Sequence, residues 1–135
     1  MNEKIVLLVE DNEDDEFLTR RALSKLDIPH RLVVARDGVE ALEFLSSQSR
    51  DDYSNLPVCV LLDLKLPLVD GLQVLQEIRS NEKTSLMPVM VVTSSAEETD
   101  VRAARQLAVT SYTVKPSDSR EYMEIIQKLV INCLS

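Results

Sequence analysis

The chain has 135 residues, of which 44% are apolar and 28% charged, a composition that suits one globular domain and excludes a disordered chain. Its net charge of -8 argues against a nucleic-acid partner, because contact with a phosphate backbone requires a basic surface, and favours a cation or a basic protein surface instead. The longest apolar runs are too short to span a bilayer or to form the core of a signal peptide, so we expect no membrane partner and a cytoplasmic location.

The first half of the chain alternates between apolar strands and amphipathic helices. Apolar residues recur at helical spacing in the first helix, at Phe17, Leu18, Ala22 and Leu26. The predicted elements are a strand over 4–9, a helix over 14–26, a strand over 31–35, and a helix that begins at 38 and gives way to a polar loop over 46–55.

The second half repeats the alternation. Asp70 is a good N-cap for the third helix, and Ser117 or Asp118 for the last. The predicted elements are strands over 58–63, 88–93 and 111–114, helices over 71–80 and 97–107, and a last helix that follows its cap at Ser117 or Asp118 and reaches almost to Ser135. Five strands that alternate with five helices predict an α/β fold, a doubly wound parallel sheet with helices on both faces.

The rarer residues narrow the class of protein further. Cys59 and Cys133 are not spaced as a C-x-x-C pair, which favours free thiols in a reducing compartment. His30 is the only histidine, and we interpret it as a surface turn residue, so Ser-His-Asp catalysis and multi-histidine metal sites have little basis. The sequence shows no linker and no internal repeat, and we expect residues 1–135 to form a single domain.

Polar residues follow the strands of the predicted sheet. Glu10 and Asp11 end the first strand, Asp63 the third and Thr93 the fourth, and Lys115 comes directly after the fifth. Ligands of such sheets bind beyond the carboxyl ends of the strands, where the strand order reverses. We therefore expect these five side chains to converge on one edge.

Each of these residues also has an ordinary structural interpretation. The run "EDNEDD" could be the solvated start of a helix, and Asp63 could cap a turn. Thr93 could be a strand-end hydroxyl, Lys115 a surface charge, and Tyr112 a core ring with its hydroxyl in water. Their common position at one edge favours a functional site.

The chemistry of the set indicates phosphoryl transfer. Three neighbouring carboxylates repel one another, and a hard divalent cation such as Mg²⁺ relieves that repulsion. A carboxylate beside a cation on a rigid strand, as predicted for Asp63, can attack phosphorus. Lys115 and Thr93 would then neutralise oxygens of the transferred group.

The segments "LLVEDN", "LLDLKLPLVDG", "VVTSS" and "SYTVKP" resemble, in this order, the motifs of the response-regulator receiver domain. The resemblance implies a flavodoxin-like sheet with strand order 2-1-3-4-5, and phosphorylation of Asp63 by a histidine kinase. It implies a Mg²⁺ ion, or Mn²⁺ as its substitute, held by Glu10, Asp11, Asp63 and the backbone carbonyl of Lys65. Such a receiver is a phosphoacceptor that promotes its own phosphorylation and dephosphorylation, and is not otherwise an enzyme.

The same resemblance assigns roles to further residues. Thr93 and Tyr112 would form a switch pair, and Lys115 would bind the phosphoryl group. The Lys115–Pro116 peptide is expected to be cis, and Pro67 and Gly71 would be structural. The start "VEDNEDD" and the segment "VVTSSAEETDV" are similar to small single-domain regulators that partner phytochrome kinases, which implies a receiver without an output domain.

The last predicted helix has a broad apolar face. Its apolar residues cover an arc of about 180°, more than one core-facing stripe requires. Ile131 lies in the remaining polar arc, between Glu124 and Lys128. We predict a homodimer through strand 5 and helices 4 and 5, with Tyr122, Ile131 and Leu134 on its face. The alternative is a buried helix with one stray isoleucine.

Other functions fit the sequence less well than that of a receiver. A haloacid-dehalogenase-type phosphatase needs a second acid two residues after its nucleophile, where this chain has Lys65. A flavodoxin-like cofactor binder needs a Gly-rich or Ser/Thr-rich cradle after strand one, but this loop is acidic and the chain has only Gly38 and Gly71. The remaining alternative is a receiver that works by contact alone, without phosphorylation.

Overall fold

A computed structural model describes residues 3–49 and 56–135. Its elements within these residues are β1 (Lys4–Val9), α1 (Glu13–Ser24), β2 (His30–Ala35), α2 (Gly38–Ser49), β3 (Cys59–Leu62), α3 (Gly71–Ser80), β4 (Val89–Thr93), α4 (Glu98–Gln106), β5 (Ser111–Val114) and α5 (Ser119–Leu134). The strands form one parallel sheet in the order β2-β1-β3-β4-β5, which confirms the predicted fold.

The predicted element bounds hold to within a few residues, with two instructive differences. Residues 46–49 continue α2 and are not part of a loop, while the rest of that predicted loop, 50–55, lies outside the described residues. His30 begins β2 and is partly buried, with Nδ1 2.8 Å from the carbonyl oxygen of Ile28, so it is not a surface turn residue.

Successive residues of the central strands point to opposite faces of the sheet and into two apolar cores. Leu7 and Val60 enter one core, which is completed by residues of α2, α3 and α4. Val6 and Leu61 enter the other core, which is completed by α1 and α5. Burial on both faces explains why these strands are continuously apolar.

In two helices, α1 and α5, the buried residues differ from those predicted from the sequence. Phe17 is 60% exposed, and α1 instead buries Glu16, Thr19, Ala22 and Leu23 against the sheet and α5. The apolar face of α5 is broad because the helix packs against both the sheet and α1. Tyr122 and Leu134 therefore lie in the core. These two residues were therefore wrongly predicted to lie on a dimer face, while Ile131 is exposed.

The turn after β3 is held by close packing around both glycines of the chain. Gly71 opens α3, and its N–H donates to the carbonyl oxygen of Leu64 over 3.0 Å. A Cβ at Gly71 would collide with the backbone of Asp63 and Leu64, and a Cβ at Gly38 would collide with the backbone of Val69. Both glycines thus make room for the segment that follows Asp63.

The start of α5, the Lys115–Pro116 peptide and the lengths of the helices bear on further predictions. Asp118, not Ser117, caps α5, and its side chain accepts from the N–H of Glu121. The Lys115–Pro116 peptide is trans, as are all the described peptide bonds, so the expected cis bond was wrong; the trans form is the lower-energy one for most X-Pro bonds. None of the helices in the described part of the chain is long and apolar enough to cross a membrane.

Candidate functional site

The site forms at the carboxyl edge of the sheet, around the Asp63 carboxylate. Asp63 follows β3 directly, its N–H donates to the carbonyl oxygen of Val9 over 3.1 Å, and only 5% of the residue is exposed. Its Oδ1 accepts from the N–H of Lys65 at 3.0 Å, and its Oδ2 from Lys115 Nζ at 2.9 Å. The Thr93 hydroxyl also faces this carboxylate and helps to lower its pKa. A rigid strand end therefore holds an ionised carboxylate that faces three donors.

Lys115 is surrounded by three carboxylates. Its Nζ lies 2.9 Å from Glu10 Oε1, 2.7 Å from Asp15 Oδ2 and 2.9 Å from Asp63 Oδ2. An ammonium group has three N–H donors, so its donors are matched by these acceptors. The predicted meeting of Glu10, Asp63 and Lys115 is confirmed, whereas Asp15 was not among the predicted site residues.

Burial and the neighbouring charges shift the pKa values of the ionisable groups in this cluster. Burial raises the pKa of Glu10 to about 7, which outweighs the hydrogen bond from Lys115. Burial alone would also raise the pKa of Asp63, but hydrogen bonds from Lys115, Thr93 and the Lys65 N–H lower it below its usual value. Burial disfavours the Lys115 ammonium, yet its three carboxylate partners raise its pKa overall. Asp63 is thus kept ionised and Lys115 protonated at neutral pH.

Three acidic residues form a group suited to a metal ion. Glu10, Asp11 and Asp63 offer oxygen atoms that all lie within 4.8 Å of one another, with Glu10 and Asp63 buried and Asp11 exposed. A set of carboxylate oxygens with one solvent-facing member fits Mg²⁺ or Mn²⁺, since these hard cations keep water ligands. The fourth predicted ligand, the Lys65 carbonyl, stays a prediction.

A second network lies beside Thr93, in the loop between β4 and α4. The Tyr112 hydroxyl donates to the carbonyl oxygen of Ser95 over 2.8 Å, and the N–H of Ser95 faces Thr93 Oγ1 at 3.4 Å. The Ser95 hydroxyl donates to Asp100 Oδ2, which also lies 3.6 Å from Lys65 Nζ. Tyr112 and Thr93 are therefore joined through one loop, and Lys65 is tied to α4 across it.

The structure thus gathers most of the predicted site residues and adds others. Glu10, Asp11, Asp63, Thr93 and Lys115 meet at one edge, and Tyr112 reaches the adjoining loop. The residues missed by sequence reasoning are Asp15, Ser95 and Asp100. The acidic run "NEDD" gave a signal for Asp15 and the "TSS" segment for Ser95, but neither indicates which of its members faces the site, and no motif pointed to Asp100. Pro67 is exposed in the segment after Asp63, where no described contact assigns it a structural role.

Comparisons with known proteins agree with this geometry. The family model described as the response regulator receiver domain matches residues 6–127. The response regulator Rcp1 of Synechocystis is 39% identical over 124 residues, which cover 92% of this chain and 84% of Rcp1. A probable methanogenesis regulatory protein, FilR2 of Methanothrix harundinacea, is 38% identical over 125 residues, or 93% of this chain and 80% of FilR2.

Solved structures of similar proteins include two with an occupied or modified site. The crystal structure of Mn²⁺-bound Rcp1 superposes with a TM-score of 0.88 at 37% identity and covers 98% of this chain and 95% of that one. The phosphorylated cyanobacterial phytochrome response regulator RcpA superposes with a TM-score of 0.89 at 35% identity, and the match covers 99% of this chain and 96% of RcpA.

Proposed function

Since this chain belongs to the response regulator receiver family, we propose that it accepts a phosphoryl group on Asp63 from a histidine kinase in a two-component phosphorelay. The observation that carries the proposal is the Asp63 carboxylate, which is buried, hydrogen-bonded and held ionised between an ammonium group, a hydroxyl and two further acids. The phosphorylated relative RcpA supports it.

The residues divide the work of the transfer. An Asp63 oxygen attacks phosphorus, the new O–P bond forms, and the bond to the leaving group of the phosphoryl donor breaks with its electron pair. Lys115 and Thr93 neutralise phosphoryl oxygens as charge accumulates there. Glu10, Asp11 and Asp63, with the Lys65 carbonyl, would hold Mg²⁺, which supplies positive charge to the phosphoryl oxygens when bound.

The proposal is tested by incubation with acetyl phosphate and Mg²⁺, followed by measurement of the intact mass. We expect one phosphoryl adduct per chain, which is absent in Asp63→Asn and in the presence of a chelator. Asp27→Asn, a change at an exposed aspartate in the connection between α1 and β2, is the matched control and should form the adduct as wild type does. Absence of an adduct in the wild type would falsify the proposal and favour a receiver that works by contact alone.

A phosphatase activity fits the site less well. The position two residues after Asp63 is occupied by Lys65, which pairs with Asp100 and cannot act as a general acid in the way a carboxylic acid would. We therefore expect no sustained turnover of a small phosphate ester under the same conditions.

The kinase that phosphorylates this chain is proposed to be of the phytochrome type. Similarity to RcpA, a phytochrome response regulator, supports this assignment, while FilR2 shows that relatives of comparable identity serve other regulatory systems. Transfer of labelled phosphoryl from a purified phytochrome kinase tests it: we expect transfer within seconds to minutes, faster than from an unrelated histidine kinase.

We also propose a homodimer and a cytoplasmic location. The dimer would form through β5, α4 and α5, because β5 is an edge strand and Val114 and Ile131 are 45% and 38% exposed. Two free cysteines, one buried, support a reducing compartment.

A further inference from the structure

Asp15 is an acidic partner of Lys115 that the phosphoryl chemistry above leaves without a role. It lies in the first turn of α1, where its N–H donates to Asn12 Oδ1 and its carbonyl oxygen accepts from the Thr19 hydroxyl. Its Oδ2 lies 2.7 Å from Lys115 Nζ, the shortest of the three ion pairs to that ammonium group. The carboxylate is thus fixed by a helix end and directed at the residue that would bind the phosphoryl group.

The three partners of Lys115 differ in what else they must do. Asp63 is the phosphoryl acceptor, and Glu10 belongs with Asp63 to the group of acids that could hold a metal ion. Asp15 is not a member of that group. When the phosphoryl group and a cation engage Asp63 and Glu10, Asp15 is the partner whose charge stays available to Lys115.

We propose that Asp15 is a positioning residue, which holds the Lys115 ammonium beside Asp63 while one of its N–H groups turns to a phosphoryl oxygen. The inference rests on the proposed phosphorylation of Asp63. In that step the Asp63 oxygen bonds to phosphorus and, with acetyl phosphate as donor, acetate leaves with the electrons of the broken O–P bond. Asp15 contacts neither reacting atom and acts through Lys115 alone.

The geometry explains why such an anchor matters. Lysine has a long flexible side chain, and its ammonium group contributes to transfer only where it meets the developing charge. Small displacements of a catalytic charge reduce transfer rates strongly. Once the Asp63 carboxylate becomes an acyl phosphate, it attracts the Lys115 ammonium group less strongly. Asp15 then holds that ammonium group at the mouth of the site from its position on α1.

The test compares Asp15→Asn with Asp14→Asn. Both changes remove one negative charge from the same turn of α1, but Asp14 is exposed and only Asp15 pairs with Lys115. With acetyl phosphate at saturating Mg²⁺, we expect the rate of adduct formation to fall by about tenfold in Asp15→Asn and to stay within about twofold of wild type in Asp14→Asn. Equal rates in the two variants would overturn the proposal.

A double-mutant cycle separates positioning from a general loss of charge or of structure. In a Lys115→Met background, Asp15→Asn should slow adduct formation no further, because there is no ammonium group left to position. If Asp15→Asn slows the reaction as much without Lys115 as with it, Asp15 does not act through Lys115 and the proposal is wrong.

A readout that does not depend on phosphorylation completes the test. The NMR signal of the Lys115 ε-methylene group should move in Asp15→Asn and not in Asp14→Asn, since only the first change removes a partner of the ammonium group. An unmoved signal contradicts the ion pair itself. If the wild type forms no adduct but the signal moves, the proposed function fails while the Asp15–Lys115 contact stands, so the two failures are distinguishable.

Discussion

At the scale of single residues, the raised pKa of Glu10 would make metal binding by the group of Glu10, Asp11 and Asp63 depend on pH. Burial raises the pKa of Glu10 to about 7, so in the absence of a metal ion this residue is mostly protonated at pH 6 and mostly ionised at pH 8. A cation binds the ionised carboxylate, so below the pKa a proton must leave first. The affinity for Mg²⁺ should therefore rise as the pH rises through 7.

We predict that the apparent Kd for Mg²⁺ falls by about tenfold between pH 6 and pH 8, measured by isothermal titration calorimetry at constant ionic strength. The factor follows from the fraction of Glu10 ionised at each pH with a pKa of about 7. Glu10→Gln is the control and should bind more weakly, with an affinity that changes little over the same range. Equal affinity of the wild type at both pH values contradicts the prediction.

The residues of the site were predictable to the extent that the backbone alone places them. Asp63, Thr93 and Lys115 were found because a parallel sheet brings consecutive strand ends to one edge. Asp15 and Asp100 lie on helices, and they meet Lys115 and Lys65 only through the packing of those helices. Neither helix pattern indicates that contact, so sequence reasoning had no means to find it.

At the scale of elements, both glycines make room for the segment that follows Asp63. Gly71 lies against the backbone of Asp63 and Leu64, where a side chain would force backbone atoms apart. We predict that Gly71→Ala destabilises the protein by about 2 kcal/mol, as overpacking usually does, and slows phosphorylation because Asp63 is displaced. Urea unfolding followed by circular dichroism measures the first effect, and the rate of adduct formation the second.

Gln76→Ala, at an exposed position of the same helix, is the control for helix propensity. It should leave both the free energy of unfolding and the rate close to wild type. A Gly71→Ala protein as stable as this control would show that the backbone moves aside without cost, and would remove Gly71 from the structural residues of the site.

Arg79 connects three segments at the end of the sheet opposite the site. From α3, its guanidinium donates to the carbonyl oxygens of Ser85 and Met87 in the connection to β4, and of Leu107 and Ala108 after α4. The planar group suits several acceptors at once, whereas a lysine ammonium cannot reach them all. Arg79 therefore ties α3, α4 and the start of β4 together.

We predict that Arg79→Lys lowers the free energy of unfolding by about 3 kcal/mol, because carbonyl groups that had a charged donor lose it. Arg102→Lys is the control, since Arg102 is an exposed α4 residue that pairs with Glu98 within one turn and should change stability by about 0.5 kcal/mol or less. Both are measured by urea unfolding. A similar loss in the two variants would mean that the network around Arg79 contributes nothing beyond a surface charge.

The elements themselves were readily predicted from the sequence, but their faces were not. Apolar runs and caps defined every strand and helix, and α3 and β5 were predicted with the bounds the structure shows. The side of a helix that is buried depends on its neighbours: Phe17 stays exposed, while α5 packs on both α1 and the sheet and therefore buries Tyr122 and Leu134. A single sequence pattern cannot distinguish a helix with two covered sides from one with a free apolar side.

At the scale of the whole molecule, the structure reduces the proposed dimer face to fewer residues. Tyr122 and Leu134 are unavailable to a partner, and the most exposed apolar side chains on β5 and α5 are Val114 and Ile131. A dimer built on so few apolar contacts must also use the unpaired edge of β5 or polar groups of α4 and α5. Its stability should then be modest and sensitive to one added charge.

We predict that Ile131→Glu weakens the proposed dimer by tenfold or more in Kd, about 1.4 kcal/mol, because a charge would be desolvated in the interface. Leu86→Glu is the matched control: Leu86 is 93% exposed in the connection between α3 and β4, which is not part of the proposed face on β5, α4 and α5, and the same substitution there should leave association unchanged. Sedimentation velocity over a range of concentrations, with and without acetyl phosphate and Mg²⁺, measures both variants. If both variants dissociate equally, the interface lies elsewhere. If the wild type is monomeric both with and without acetyl phosphate and Mg²⁺, the exposed isoleucine is an isolated surface residue and the output must pass through a different partner.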